Sequence, residues 1–514
     1  MLSNILPVIS GVLTAFSFSE KSFAPFIFVS MVPFFLSMLK VKNRGEFYTS
    51  SVVFYFVYCV ITFSWIFELK EFIDVSIVFK YIILAVSLLI MSAVTTFRMM
   101  LAQLFYFRIK TGNYSDIVKF SFIFITGEWL QEHILFLPFP WARLGVIASP
   151  FTTFIQSASV FGSLFISFLI VMINGTIAFI ILNYKHVPKA IAASICILIL
   201  ITANMSFGIL SLIRTYSQEK YINVCLVQGN FSDMNKWTAT SEDTLFQYLS
   251  LTDEAITPQT NIVFWPETAI PTYINRSDIA NKITDYTSKE NIILITGAFY
   301  DKTNNNSTEN FNSIYISDNS GKINYVYSKQ YLVPFGEMFP LYKQISKMPV
   351  FDTLFAGRII CSPGKESGCV NTEYGRFAAV ICYESIFPIC TRNSVKDGAE
   401  FIAVLSNDSW FGNSHAIYQH YSNSIMRAVE NRRYLVRCAN TAVTAIIDSN
   451  GREVISAPYY QPSAINSAII LNSQKSIYTR IGDVIVIPGI FLWGYGLFRY
   501  IRFKISEHKK KKSS

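Results

Sequence analysis

Eight long apolar runs limit what this chain can become. Seven lie in series, at roughly 4–19, 24–39, 50–67, 76–107, 116–131, 152–182 and 190–213, and an eighth stands alone at about 483–503. A helix needs about 20 apolar residues to cross ~30 Å of hydrocarbon. Most runs are near or above that length; the first, second and fifth are short. A lone N-terminal run could be a signal peptide, but seven in series are not. Composition agrees: 52% of residues are hydrophobic and only 15% charged, against about 25% charged in soluble domains. One aqueous core cannot bury so much apolar surface, so a bilayer holds part of the chain.

The net charge of +9 does not indicate a nucleic-acid partner. Lys and Arg gather in short loops (Lys40, Lys42, Arg44; Arg108, Lys110, Lys119; Lys185, Lys189) and in the tail, from Arg499 and Arg502 to Lys509–Lys512. That distribution follows membrane topology and weighs against a groove-binding face. The positive-inside rule puts both termini in the cytoplasm. The expected organisation is a transmembrane domain of about seven helices (1–213), an extracytoplasmic domain (214–482), a C-terminal transmembrane helix (483–503) and a basic cytoplasmic tail (504–514).

Residues 214–482 read differently. Short β-rich runs alternate with helix-like stretches near 240–255, 277–290 and 414–434, the pattern of a layered α/β domain. Asp301–Asn310 reads as a polar loop. The chain has eight Cys and no tight CxxC pair, so neither a zinc site nor a thioredoxin-like motif is indicated. Cys361 and Cys369 are a candidate disulfide in an oxidising compartment. No Walker or dinucleotide motif is present, and neither metal nor cofactor is expected.

Three segments each end an apolar strand on a reactive side chain. Asn261-Ile-Val-Phe-Trp-Pro-Glu-Thr-Ala269 presents Glu267, Tyr327-Ser-Lys-Gln-Tyr-Leu-Val-Pro-Phe-Gly-Glu337 presents Lys329, and Phe377-Ala-Ala-Val-Ile-Cys-Tyr-Glu-Ser385 presents Cys382. Strand ends are where open α/β folds expose catalytic groups. A carboxylate can take a thiol's proton, and a cation can favour the thiolate and then the oxyanion. Glu, Lys and Cys supply that set without histidine. Taken singly, each has a plainer reading: an inert buried thiol, a surface lysine, a neighbour of a helix cap.

The three segments resemble the Glu, Lys and Cys signatures of the nitrilase superfamily, in order and in flanking residues. The whole chain resembles one branch of it, the apolipoprotein N-acyltransferases. Further matches are Val227-Gln-Gly-Asn230 ahead of Trp237, Ser406-Asn-Asp-Ser-Trp-Phe-Gly412, Arg427-Ala-Val-Glu-Asn-Arg-Arg433, Gly127-Glu-Trp-Leu130 and Phe139-Pro-Trp141. The resemblance implies a multi-pass α-helical membrane domain of about eight transmembrane helices plus an αββα sandwich. It implies acyl transfer from a phospholipid, through a Cys382 thioester, to the α-amino group of an apolipoprotein's N-terminal diacylglyceryl-cysteine. A membrane-tethered amidase is the alternative.

Glu267 would be the base and Lys329 the oxyanion cation, helped by the N–H after Cys382. Glu337 would pair with Lys329, Tyr383 and Glu384 would line the pocket, and Trp237 would touch substrate. Trp410 and Trp141 are supporting candidates, though each Trp also reads as an ordinary core aromatic. The family setting is a bacterial inner membrane with the catalytic domain on the periplasmic side, and a monomer is expected.

Other features read more plainly. His420 reads as a structural helix-face histidine. Asp408 and Arg433 read as internal pairs, and Glu128 as either a functional intramembrane acid or an interfacial one. The stretch 331–365, with Phe335, Met338, Phe339, Leu341, Met348, Phe351, Leu354 and Phe355, reads as an apolar lid beside lipid.

Overall fold

A computed structural model describes residues 2–73, 75–133, 137–213, 220–231, 240–304, 307–339 and 359–513. Contacts divide the chain into two compact units. One comprises Met1–Phe67, Tyr81–Arg214 and Ile481–Ser514; the other comprises Glu68–Lys80 and Thr215–Arg480.

The first unit is helical. Among the described residues six helices are long and apolar enough to cross a membrane: Lys21–Lys40, Arg44–Phe72, Ile77–Ile109, Ser163–Leu182, Val187–Ile213 and Val484–Lys512. Two of the apolar runs form helices outside that set. Leu2–Phe16 has 15 residues, about 22 Å at 1.5 Å per residue. Ser115–His133 carries Asp116, Lys119, Glu128 and Glu132. The run 152–182 is interrupted at Gly162, whose φ of 75° starts a new helix at Ser163.

Side chains such as Leu198, Ile199, Leu210 and Phe491 point outward, which is an aggregation liability in water and normal against lipid. Polar groups pair inside instead. Asn174 donates to the Ile27 and Ile170 carbonyls, both at 2.9 Å, and accepts from Met31 N at 2.8 Å, the polar glue of packed membrane helices. Glu128 is buried rather than interfacial. It accepts from Leu144 N at 2.7 Å and so caps the short helix Leu144–Ile147. Glu132 pairs with Arg143 at 3.0 Å.

The second unit is a two-sheet sandwich. Its first sheet comprises β1 (Lys220–Gln228), β2 (Ile262–Phe264), β3 (Ile270–Tyr273), β4 (Ile293–Asn304), β5 (Ser307–Ser317), β6 (Ile323–Ser328) and β13 (Ser463–Leu471), in the order β13-β1-β2-β4-β5-β6 with β3 on β4. Its second comprises β7 (Cys369–Asn371), β8 (Arg376–Ile381), β9 (Phe401–Ser406), β10 (Leu435–Ala439), β11 (Ala445–Ile447) and β12 (Glu453–Ser456), in the order β12-β11-β10-β9-β8-β7.

Alternation decides the layers. Ile222, Val224 and Leu226 share one core with Phe377, Ala379, Ile381, Ala403 and Leu405 of the facing sheet. Cys225 and Val227 point the other way, onto helices Ser241–Ala255 and Ile279–Glu290. Helices Pro388–Lys396 and Ala416–Asn431 pack on the second sheet, which completes an αββα sandwich.

Within the polar stretch Asp301–Asn310, residues 301–304 and 307–310 are strand rather than loop. β4 and β5 continue as a hairpin, with Lys302 opposite Glu309 and Thr303 opposite Thr308, cross-strand pairs that stabilise a ladder without apolar residues. All eight cysteines are free thiols, so Cys361 and Cys369 form no disulfide.

Phe264 lies between the sheets, fully buried, with its ring 6.4 Å from that of Phe401. Phe264→Ala is expected to destabilise the sandwich by about 3–5 kcal/mol, measured as a lowered unfolding midpoint in detergent.

Candidate active site

Parallel pairing of β2 with β1 and β4, and of β9 with β8 and β10, sets strand ends from both sheets side by side. Glu267 follows β2, Lys329 follows β6, Cys382 follows β8 and Asp408 follows β9. Gly297 on β4 admits the turn that carries the base. A Cβ there would meet Thr268 N at 2.5 Å, Pro266 O at 2.7 Å and Glu267 Cα at 2.8 Å. Gly364 does the same for the lysine, since its Cβ would lie 2.2 Å from Ser328 O.

The three expected catalytic residues converge and are all buried. Lys329 Nζ donates to Glu267 Oε1 at 3.1 Å and to Glu337 Oε1 at 2.9 Å. Burial works to discharge this ammonium, and the charges of Glu267 and Glu337 more than reverse it, so its pKa is held well above the ordinary lysine value. Asn312 Nδ2 donates to the same two oxygens, at 2.8 and 2.7 Å. Glu267 Oε2 accepts from Asn407 N at 2.8 Å.

Cys382 stands at a left-handed φ of 49°, the kind of constrained backbone that clusters at functional sites. Burial pushes its thiol pKa up, the Glu267 charge adds to that, and Lys329 opposes it. Cys382 therefore rests as a thiol beside Glu267.

The supporting residues divide. Glu337 closes the ion set and accepts from Val333 N at 2.8 Å. Tyr383 is nearly buried, its ring edge-on to Phe387 at 5.1 Å. Glu384 does not line a pocket. It is fully buried and accepts from Ile381 N (2.8 Å), Gln330 N (2.6 Å), Tyr331 N (3.3 Å) and Tyr327 OH (2.8 Å), which brackets the Lys329 strand end to the nucleophile turn. Burial pushes its pKa up to about 7 against those hydrogen bonds.

Trp410 packs on Phe72 with ring centroids 4.2 Å apart. Trp141 belongs to the helical unit, buried against Trp65 and Phe139. Trp237, and Leu341, Met348, Phe351, Leu354 and Phe355 of the apolar stretch, lie outside the described residues. Within that stretch Phe339 is buried and Phe335 is exposed at a φ of 64°.

Sequence reasoning overlooks Asn312 and Asn407. An Asn on a strand carries no chemical flag, although Asn407 sits inside the 406–412 motif. Asp408 is an internal partner, as expected. It accepts from Arg437 Nη2 at 2.6 Å and Ser406 Oγ at 2.8 Å, and lies 2.9 Å from His420 Nδ1. Arg433 is also internal, donating to Ala399 O at 2.8 Å. Ligand atoms of Cys382, Asp408 and His420 come within 4.8 Å of one another, but Arg437 already lays its positive charge on Asp408 and His420.

Two outcomes test this geometry. Gly297→Ala displaces the Glu267 turn and is expected to slow acyl-enzyme formation on the order of 10²-fold, the scale of a misplacement near 1 Å; intact-protein mass spectrometry follows it. Glu267→Gln removes one charge that raises the thiol pKa. The pH midpoint for iodoacetamide labelling of Cys382 is then expected to fall, even as acylation of the same thiol is lost.

The carbon-nitrogen hydrolase family model matches residues 223–476, and the apolipoprotein N-acyltransferase N-terminal domain model matches residues 10–176. Apolipoprotein N-acyltransferase of Coxiella burnetii is 30% identical over 472 residues, covering 90% of this chain and 92% of that protein. The Geobacter metallireducens protein of the same name is 28% identical over 489 residues, covering 93% and 92%. The Chlorobaculum tepidum one is 25% identical over 509 residues, covering 93% of each. Membrane helices, a sandwich with a buried Glu–Lys–Cys set, and similarity along almost the whole length agree, and the chain belongs to the apolipoprotein N-acyltransferase family.

Proposed function

We propose that this chain moves an acyl chain from a phospholipid to the α-amine of an apolipoprotein's N-terminal diacylglyceryl-cysteine, through a thioester on Cys382. The observation that carries this reading is a buried thiol beside one buried cation and two carboxylates, in a chain whose residues 10–176 match the N-terminal domain of these acyltransferases.

In the first half-reaction Glu267 takes the thiol proton as sulfur attacks the ester carbonyl. The oxyanion forms against Lys329 Nζ and the N–H of Tyr383. Collapse expels the lysophospholipid alkoxide, which leaves with the proton from Glu267, and the thioester remains. In the second, the α-amine attacks the thioester carbonyl and gives its proton to Glu267. The tetrahedral intermediate expels the thiolate, which is reprotonated, and an amide is released. Glu337 and Asn312 hold Lys329 and Glu267 in place throughout. One chain supplies every residue of the site, so a monomer suffices.

The amidase alternative, with water as acceptor, does not explain the N-terminal match. The setting that fits the loop charges is a bacterial inner membrane with both termini cytoplasmic and the sandwich on the periplasmic side.

Incubation of the protein with phospholipid alone is expected to leave a hydroxylamine-sensitive acyl group on Cys382, absent in Cys382→Ser, and initial rates against both substrates should give parallel double-reciprocal lines. Normal transfer without that adduct would mean direct transfer. For topology, Asn305→Cys and Lys512→Cys are placed in a background lacking Cys196, Cys369 and Cys390. A membrane-impermeant maleimide added outside is expected to label position 305 and spare 512; the reverse inverts the orientation.

A further inference from the structure

Beneath the nucleophile lies a buried polar chain that the reaction above does not use. His420 Nε2 is 3.1 Å from the Cys382 carbonyl oxygen and 2.8 Å from Ser385 Oγ. On the other side of the ring, Nδ1 is 2.9 Å from Asp408 Oδ1 and 3.0 Å from Arg437 Nη2. Arg437 in turn holds Asp408 Oδ2 at 2.6 Å and Ser424 Oγ at 3.1 Å, and Ser406 holds Asp408 Oδ1 at 2.8 Å. Every member is buried. Packed elements clamp the ring on both edges: the turn at Cys382 on one, Asp408 after β9 and Arg437 within β10 on the other.

A carbonyl can only accept, so a hydrogen bond at the 3.1 Å contact has Nε2–H as its donor. What that bond fixes is larger than one oxygen. The Cys382–Tyr383 peptide is planar and, like the other described peptides, not cis. Its C=O and N–H therefore point in opposite directions. Holding the carbonyl on His420 turns the Tyr383 N–H away from the ring. Cys382 needs such a restraint, because its φ of 49° is one that an L side chain keeps only when its surroundings impose it.

We propose that His420 is a positioning residue for acyl transfer: it grips the Cys382 carbonyl and so aims the Tyr383 N–H at the oxyanion. This deepens the thioester reading and rests on it. It assigns to the Asp408–His420–Arg437 chain the work of holding half of the oxyanion site, with Lys329 holding the other half. His420 moves no proton in either half-reaction.

The test compares two reactions of one thiol in the full-length protein in detergent. Iodoacetamide alkylates Cys382 by displacement at a saturated carbon, releasing iodide and a proton with no oxyanion. Acylation by phosphatidylethanolamine, or by p-nitrophenyl butyrate as an ester that does not depend on the phospholipid reading, passes through one. His420→Met is expected to slow both acylations on the order of 10²-fold, the usual loss for one oxyanion donor, while alkylation stays near wild type. His420→Gln, whose side-chain N–H can reach the same carbonyl, is expected to recover most of the loss. Ser385→Ala, a smaller change that leaves the carbonyl bond in place, is expected to keep acylation.

Equal loss of alkylation and acylation in His420→Met overturns the proposal, as does unchanged acylation. Loss in Ser385→Ala as large as in His420→Met also overturns it, since the hydroxyl would then be the partner that matters. If wild type reacts with the butyrate ester but never with phospholipid, the phospholipid reading falls while the role of His420 is still decided by the butyrate arm.

Discussion

A fully buried ammonium cannot persist alone, and the placement of the side chains around it follows from that of Lys329. Moving a charge out of water costs several kcal/mol unless well-placed partners replace the lost hydration. Glu267 and Glu337 both bond Lys329 Nζ, and Asn312 ties the same two carboxylate oxygens together. Two strand ends, the middle of β5 and one loop must therefore meet within hydrogen-bond reach. The Glu267 turn crosses β4 where only glycine fits, and Gly364 closes against Ser328 just before the lysine. Glu384 then fastens this first-sheet assembly to the nucleophile turn of the second sheet through four donors. The sandwich thus supplies two stacked edges, and the ion set sets their register.

Much of this is legible in the sequence because it is carried by strand ends. The apolar runs 261–265, 323–328 and 376–381 stop where a charged or nucleophilic residue begins, so Glu267, Lys329 and Cys382 can be picked out without coordinates. What escapes is polar chemistry without a chemical label. Asn312 looks like any strand residue until its amide is seen to bridge two acids. Glu384 is close to the nucleophile in sequence, and only the direction of its side chain shows that it is a bracket. The strand extensions at 301–304 and 307–310 escape because Lys302, Glu309 and two threonines pair across strands without alternating hydrophobicity.

The membrane part shows a different limit. Length and composition mark six helices, but Ser115–His133 spends its polar residues inside its own unit. Glu128 caps Leu144–Ile147 and Glu132 meets Arg143. Hydropathy averages over the very residues that packing needs. A helix that exchanges lipid contact for internal hydrogen bonds loses its apolar signature while gaining partners. Val187–Ile213 is the converse case. Little of its surface is covered by the rest of its unit, and its signature stays unbroken because most of that surface faces lipid.

The charge count inside the pocket explains why a thiol with a raised pKa suits this chemistry. In the proposed reaction the set starts from the Lys329 ammonium, the Glu267 and Glu337 carboxylates and a neutral Cys382 thiol. When Glu267 takes the proton and the oxyanion forms, one negative charge disappears from the carboxylate and one appears on the substrate. The total is unchanged. The thioester state again holds one ammonium and two carboxylates, ready for the amine proton. A preformed thiolate would add a further negative charge to a buried site that already has an excess, and burial penalises that charge most. In the proposed reaction, proton and charge therefore move together between Cys382, Glu267 and the oxyanion. On that proposal the Lys329 charge stays constant through both half-reactions, and the same preorganised donors would serve an ester and then a thioester.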